Sequence, residues 1–354
     1  MKRLLVLLLA LVLVFGLVAC ANAPEAAPPN PTSEPPPVAD PPPTPAEPGN
    51  DEEEIGVAAE NSNITGALHR IEYGDNVVYL FGTIHAYREG WTPLAAVVED
   101  AIDRADVFVL EMSDEEFAIM DTLTVEAMFL PDGQAWVEFL PAEAYDHLVE
   151  MVEIWGIPYE DMNTWHPSFL ILILKMEISN AFAPDVTMED SIDSYVIRRA
   201  AERGLPTLGL EAAAQQAEIL YNPPFEVVVA QVMALGTPDE MAEEIMYVGT
   251  MADMAEWYET NDFQAFREQF VRQFRDISEE RLDLLYMQEM LINFRSTYYA
   301  NGIADLLRNT EEPTTFFVAV GISHVVRAMG GTEGLTDIVE QLGFMGIVAE
   351  PLWR

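Results

Sequence analysis

The sequence predicts an α/β fold in which a mixed central sheet, built from N- and C-terminal segments, carries flanking helices and a large helical insertion. Two observations predict it. Apolar runs rich in β-branched and aromatic residues, typical of buried strands, occur at 77–81 and again at 316–320. Between them, from about 142 to 308, the apolar spacing is mostly helical. One sheet assembled from distant segments accounts for both observations.

Residues 1–20 have the pattern of a lipoprotein signal peptide. Lys2 and Arg3 precede an unbroken apolar stretch, which is too short for a transmembrane helix and ends in Leu17-Val18-Ala19-Cys20. This ending resembles the bacterial lipobox, and the resemblance implies cleavage before Cys20 and lipidation of that cysteine. We therefore expect an extracytoplasmic protein, lipid-anchored to the bacterial cell membrane. The alternative is a simple secretory signal with an incidental cysteine.

We expect residues 21–60 to form a linker and residues 61–354 to form the α/β domain. The linker is dominated by Pro, Ala, Glu and Asp and cannot bury a core, so we expect an extended spacer. Cys20 is the only cysteine of the chain, which excludes an intramolecular disulfide and leaves no cysteine nucleophile in the domain.

The charge of the chain limits its partners. It has 60 acidic and 17 basic residues, a formal net charge of −43. This balance argues against nucleic acid, whose phosphates need Lys and Arg, and against adsorption to anionic lipid headgroups. The acidity is typical of a solvated surface, and it allows a cationic or peptide partner without requiring one. Membrane contact is expected through the lipid anchor only. The oligomeric state is left open.

The elements before the insertion are predicted from turn and strand signals. An alternating strand at 68–73, the turn Gly74-Asp75-Asn76 and a strand ending at Phe81 predict a hairpin. Pro93 is expected to open a helix. A strand at 106–110 then ends just before Glu111.

The later elements are mostly helical. Helices are expected at 142–155, 167–182 and 189–203, followed by a short strand at 206–210 that ends before Glu211. The pattern is again helical at 225–308, with breaks near 236–238 and 260–262 and one long helix at 278–308. A strand at 315–320, a helix after Gly334 and a strand near 346–349 complete the prediction. Helical spacing predicts core packing for Met287, Met290, Phe294 and Tyr298.

Two short segments of the chain repeat one pattern. Gly82-Thr83-Ile84-His85 and Gly321-Ile322-Ser323-His324 are both Gly-x-x-His, and each follows a predicted buried strand. A glycine there permits a tight turn or a close backbone approach. The histidine then lies in the loop at the carboxyl end of the strand, where open α/β sheets bind their ligands.

Four predicted strands are followed by a side chain with ligand or acid–base chemistry: His85, Glu111, Glu211 and His324. If the strands are parallel, all four lie at one edge of the sheet. Two imidazoles and two carboxylates suit Zn, Mn, Co or Fe, and one carboxylate could instead act as a general base. The alternative is hydrogen-bonding histidines and solvated surface carboxylates. Roles in packing, capping or at the surface are expected for the other histidines, His69, His147 and His166.

Over about residues 66–350 the chain resembles the TraB/PrgY/GumN family, which includes the Tiki proteases. The resemblance is carried by Phe81-Gly82-Thr83-Ile84-His85, Val109-Leu110-Glu111, Ile192-Asp193-Ser194-Tyr195, Leu208-Gly209-Leu210-Glu211 with Gln215, Arg295, and Val320-Gly321-Ile322-Ser323-His324. It implies a fold similar to that of erythromycin esterase and ChaN-like proteins, and the metal-dependent peptidase activity of the Tiki branch.

The resemblance also implies roles for individual residues. His85, Glu211 and His324 would hold a divalent metal (Mn, Co or Zn), Glu111 would complete the catalytic set, and Arg295 would bind substrate. The sequence departs from the family pattern mainly at Ser191, Ser296 and the segment after His324 that contains Arg327. These departures leave the substrate contacts open.

We therefore expect a surface-tethered, metal-dependent hydrolase, a peptidase in which Glu111 takes a proton from water. Two alternatives stay open. One is a non-catalytic protein that sequesters peptides or pheromones, as the PrgY and TraB branch suggests. The other is metal-independent, esterase-like hydrolysis assisted by histidine and glutamate, by analogy with the relatives in fold.

Overall fold

The computed structural model describes residues 61–131, 134–188, 190–275, 277–326 and 334–353, and its centre is a six-stranded mixed sheet. The strands are β1 (His69–Tyr73), β2 (Asn76–Thr83), β3 (Val107–Leu110), β4 (Thr207–Gly209), β5 (Thr315–Gly321) and β6 (Ala349–Pro351). Their order in the sheet is β4-β3-β5-β2-β1-β6. The first four strands of this order are parallel, and β1 is antiparallel to both β2 and β6. The predicted α/β class with a mixed sheet is confirmed.

The helices lie mainly in two segments, between β3 and β4 and between β4 and β5. They are α1 (Ala96–Arg104), α2 (Asp114–Ala127), α3 (Trp136–Phe139), α4 (Ala142–Ile154), α5 (Tyr159–Met162), α6 (Pro167–Ala181), α7 (Ile192–Arg203), α8 (Ala213–Tyr221), α9 (Phe225–Met233), α10 (Pro238–Val248), α11 (Met251–Thr260), α12 (Phe263–Phe274), α13 (Leu282–Tyr286), α14 (Arg295–Asn309) and α15 (Ile338–Phe344). The sequence analysis did not predict α2, α3, α5 and α8. The predicted breaks near 236–238 and 260–262 are present between α9 and α10 and between α11 and α12.

The helix predicted at 278–308 is present, but its first residue and its helix type differ from the prediction. It begins at Leu282, and a π-helix, Met287–Phe294, separates α13 from α14. A π-helix has more residues per turn than an α-helix and so rotates the following residues to another face. Phe294 and Tyr298 are 43% and 39% exposed and stack on each other, with ring centroids 6.1 Å apart. The prediction that these two aromatic residues pack in the core was wrong.

The apolar core has two main parts. The larger part packs both faces of the sheet against α1, α7, α11, α14 and α15. A second cluster packs the helices after β3 against α9 and α10, and it includes the buried side chains of Trp136, Leu148 and Leu170. Trp136 is anchored there because its indole Nε1 donates to the carbonyl oxygen of Trp165 at 2.7 Å. The helices between the strands therefore have an apolar core that is separate from the core of the sheet.

The first Gly-x-x-His begins at a close backbone approach. Gly82 N donates to the carbonyl oxygen of Gly66 at 2.7 Å, and the hydroxyl of Tyr258 donates to Gly82 O at 2.8 Å. A Cβ on Gly82 would lie 2.9 Å from Ile322 Cγ1 and 3.0 Å from Gly66 O. The glycine thus allows β2 to pass close to the loop that follows β5.

We predict that Gly82→Ala lowers the free energy of unfolding by about 1–3 kcal/mol, because the added methyl group overpacks this contact. Chemical denaturation of the two proteins measures the difference. Gly343→Ala is the matched control, since a Cβ at this position in α15 meets nothing within 4 Å. A loss of stability no greater for Gly82→Ala than for Gly343→Ala would contradict the close packing at Gly82.

Candidate functional site

The four parallel strands bring the predicted residues to one edge of the sheet. Glu111 follows β3 directly, and Glu211 lies two residues beyond the end of β4. His85 follows β2, and His324 ends a short 3-10 turn after β5. In the register of β2 and β5, Thr83 pairs with Gly321, so the two Gly-x-x-His loops leave neighbouring strands almost side by side.

An arginine from α14 lies between the two glutamates. Nη2 of Arg295 donates to Glu111 Oε2 at 2.8 Å, and its Nε donates to Glu211 Oε1 at 3.2 Å. The hydroxyl of Tyr299, one turn later on α14, donates to the same oxygen of Glu211 at 2.5 Å. The backbones of the glutamates are also paired, since Glu211 N donates to Glu111 O at 2.9 Å. One buried guanidinium therefore serves two adjacent carboxylates.

The two carboxylates differ in their electrostatics. Burial by itself would raise the pKa of Glu111, but the charges of Arg295, His324 and His85 and the N–H of Gly321 hold that pKa below its usual range. The N–H of Gly321 donates to Glu111 Oε1 at 2.7 Å. For Glu211, burial outweighs the opposing effect of Arg295, and its pKa is raised. Glu111 is therefore ionised at neutral pH.

His85 is paired with an aspartate from the first turn of α7. Its Nδ1 lies 2.9 Å from Asp193 Oδ2, and its side chain is 70% exposed. The hydroxyl of Thr83 donates to the other oxygen of Asp193 at 2.5 Å, which fixes the carboxylate. The charge of Asp193 is the main cause that raises the pKa of His85 to about 9, and the charge of Glu111 adds to it. His85 is therefore protonated at neutral pH and open to solvent.

His324 has different surroundings from His85, although both end a Gly-x-x-His. It is buried, and its Nδ1 lies 2.9 Å from Ser296 Oγ. Its ring packs edge-on against Tyr299, with ring centroids 5.2 Å apart. Ser296 is one of the positions at which the sequence departs from the family pattern. His324 is thus part of the packed floor of the site, and His85 is at its surface.

The comparison with protein families settles the resemblance. The profile of the TraB/PrgY/gumN family matches residues 67–344, which include the whole of this sheet edge. The chain belongs to the TraB/PrgY/gumN family. No curated protein and no solved structure matches the chain. The family predicted from the paired Gly-x-x-His motifs is confirmed.

In this member of the TraB/PrgY/gumN family, the predicted residues lie in two connected groups. Glu111, Glu211, Arg295 and His324 are linked through α14, and His85 stands beside them with Asp193. Their charges interact, because Glu111 raises the pKa of His85 and Arg295 lowers it. Arg295 is buried by its contacts with the glutamates, and its expected role in binding substrate stays a prediction, as do the catalytic roles of the other four.

Sequence reasoning missed three residues of the site as functional candidates. Tyr299 could have been found from its spacing, since it lies four residues after Arg295 on the same face of a helix. Asp193 is named in the sequence analysis only as part of a segment that carries the family resemblance. Thr83, which orients Asp193, occupies a variable position of the first Gly-x-x-His, and the motif itself gives no reason to select it.

The expected metal ligands do not form a ready metal site. Within the residues that the structure describes, no three or more His, Cys, Asp or Glu side chains are grouped so that they could hold a metal ion. Both oxygens of Glu211 accept hydrogen bonds from Arg295, and Nδ1 of His324 contacts Ser296. Glu211 in this arrangement does not fit the role of a ligand, because a guanidinium already provides its positive partner. The divalent metal stays a prediction.

Two other histidines have structural contacts. Nδ1 of His69 lies 2.7 Å from the carbonyl oxygen of Ala67, and Nε2 of His147 lies 2.9 Å from that of Leu235. Each contact joins the imidazole of a histidine to a backbone carbonyl group, and neither involves a residue of the candidate site.

Some of the expectations concern residues outside the described part of the chain. These include Cys20, the linker and Arg327. Among the residues that the structure does describe, no helix is both long and apolar enough to cross a membrane.

We predict that Arg295→Met lowers the free energy of unfolding by about 3–5 kcal/mol, because it leaves buried carboxylates without their cation. Adding Glu211→Gln in the same chain should restore part of the loss. Denaturant unfolding of the three proteins at pH 7 measures both effects. As a control, Arg104→Met removes an exposed ion pair with Asp100 and should leave stability unchanged. Equal effects of the two arginine substitutions would contradict the bridging role of Arg295.

Proposed function

We propose that the protein is a hydrolase that cleaves an acyl bond of a peptide or protein substrate at this sheet edge, with Glu111 as general base and His85 as general acid. One observation supports the proposal above the others. At neutral pH Glu111 is ionised and His85 is protonated, each because of its own partners. Paired titratable groups whose pKa values are pushed apart are typical of acid–base catalysis.

Glu111 is placed to activate water. Its carboxylate is oriented by Arg295 Nη2 on one oxygen and by Gly321 N on the other. Each oxygen keeps a further lone pair for a water molecule. The carboxylate takes one proton from that water, and the hydroxide attacks the carbonyl carbon of the substrate.

His85 is placed to protonate the leaving group. Asp193 holds Nδ1, so the Nε2–H of the imidazolium is free to face a substrate above the exposed ring. When the tetrahedral intermediate collapses, the carbon–nitrogen or carbon–oxygen bond breaks and Nε2 gives its proton to the leaving atom. The cycle leaves Glu111 protonated and His85 neutral, and proton exchange with solvent resets both.

The buried side chains of the site position the catalytic residues. Arg295 fixes Glu111 relative to Glu211, and Tyr299 closes the same cluster from α14. His324 packs against Tyr299 and interacts by charge with Glu111. We assign these residues to positioning, since each acts through another side chain.

The metal-dependent peptidase expected from the sequence is the first competing proposal, and peptide sequestration without cleavage is the second. We also propose that Cys20 and the linker tether the domain outside the membrane. Its substrates would then be extracellular peptides. A peptide library analysed by mass spectrometry, with p-nitrophenyl esters in parallel, separates the three functions. Turnover that persists in chelator favours the acid–base mechanism. Turnover that is lost in chelator and restored by Mn, Co or Zn contradicts it, as does saturable peptide binding without product.

The pH dependence of kcat/KM tests the acid directly. We predict that kcat/KM is flat around neutral pH and falls as the pH rises through about 9, because His85 must carry its proton. Asp193→Asn removes the charge that raises the pKa of His85, so the alkaline limb should move toward about 6.5, the ordinary value for histidine. Asp190→Asn is the matched control, since Asp190 is an exposed partner of Arg198 near the start of the same helix. An alkaline limb that stays in place in Asp193→Asn would contradict the role of His85.

A further inference from the structure

A groove of about 600 Å³ lies between α2, α8, α9 and the segment around α3. The residues that line it include none of the site residues at the sheet edge. Its volume is within the range of small-molecule sites, about 300–1,000 Å³. The groove is thus a candidate binding site whose argument does not depend on the proposed hydrolase.

The walls of the groove are aromatic. They include Phe129, Phe139, Tyr221 and Phe225. The ring of Phe139 lies edge-on to Phe225 with centroids 5.5 Å apart, and Phe129 and Phe225 are each 47% exposed. Aromatic faces attract cations as well as apolar groups, because the ring quadrupole is negative on its face. The walls therefore suit a ligand with an apolar body and a positive charge.

The charged residues of the lining have one sign. Glu126 comes from α2 and Glu218 from α8, and both are exposed. The described residues that line the groove include no lysine or arginine. Glu218 is held toward the end of α8, because Asn222 Nδ2 donates to its Oε2 at 2.9 Å. Two carboxylates without a basic neighbour in the lining complement a cation and disfavour an anion.

The lining also includes one histidine, His166. Nδ1 of His166 is buried and unpaired, and the ring packs against Phe139 with centroids 5.6 Å apart. His166 begins α6 without forming a side-chain cap, so of the expected cap and packing roles the structure shows packing. Burial lowers the pKa of His166, which keeps its ring neutral. His166 therefore adds no positive charge to the lining.

We propose that this groove binds a small organic ammonium ion with an aromatic or branched apolar body. The apolar body would lie among the aromatic walls, and the ammonium group would contact the exposed carboxylates of Glu126 and Glu218. A matched set of probes separates charge from shape: 2-phenylethylammonium, 2-phenylethanol and 3-phenylpropanoate share one apolar body and differ in their polar end.

Ligand-observed NMR on the full chain measures binding of the three probes. The ammonium probe should bind more tightly than the alcohol, and the carboxylate should not bind. Glu126→Gln with Glu218→Gln should weaken the ammonium probe by roughly tenfold, the combined effect of two exposed charge contacts, and leave the alcohol unchanged.

The control is Glu150→Gln, which removes an exposed carboxylate of α4 that does not line the groove. Thermal melts confirm that each variant is folded. The proposal is overturned if the ammonium probe does not bind, if the alcohol binds as tightly, or if the double substitution weakens the ammonium probe no more than Glu150→Gln does.

Discussion

The buried guanidinium of Arg295 joins the ends of two neighbouring strands, because it binds Glu111 after β3 and Glu211 after β4. Glu111 extends the connection to β5 through its bond from Gly321 N, and Tyr299 anchors α14 to Glu211. Removing charges from water is costly, and the cost is offset only where each charge is fully partnered. The position of Glu111 therefore depends on the contact between α14 and the sheet, and Arg295 contributes to its ionisation together with His324, His85 and the N–H of Gly321.

Much of the fold follows from local sequence, and its failures have identifiable causes. The two Gly-x-x-His segments follow apolar runs rich in β-branched and aromatic residues, which are typical of buried strands, and parallel pairing then places the ends of these strands together. The π-helix before Arg295 could not be predicted, because apolar spacing measures an α-helical phase and Phe294 and Tyr298 keep that spacing while facing solvent. The helix α8 was missed because its short, alanine-rich sequence has little periodicity.

The site shows where local sequence stops being informative. His85 and His324 have the same motif, and the motif correctly predicts that both lie at one edge of the sheet. Their environments are set by Asp193 on α7 and Ser296 on α14, which are distant in the chain. An exposed imidazole beside a carboxylate and a buried one beside a hydroxyl have different chemistry. The choice between metal ligand, acid and packing residue therefore depends on tertiary contacts.

The opposed protonation of His85 and Glu111 is tested most directly by NMR titration of the histidine ring in the intact protein. The His85 resonances, assigned by their loss in His85→Asn, report the ring pKa without need of a substrate. Pairing with Asp193 predicts a midpoint of about 9. A midpoint near 6.5, the ordinary value for histidine, would show that Asp193 does not hold the proton on His85 and would contradict its role as the acid.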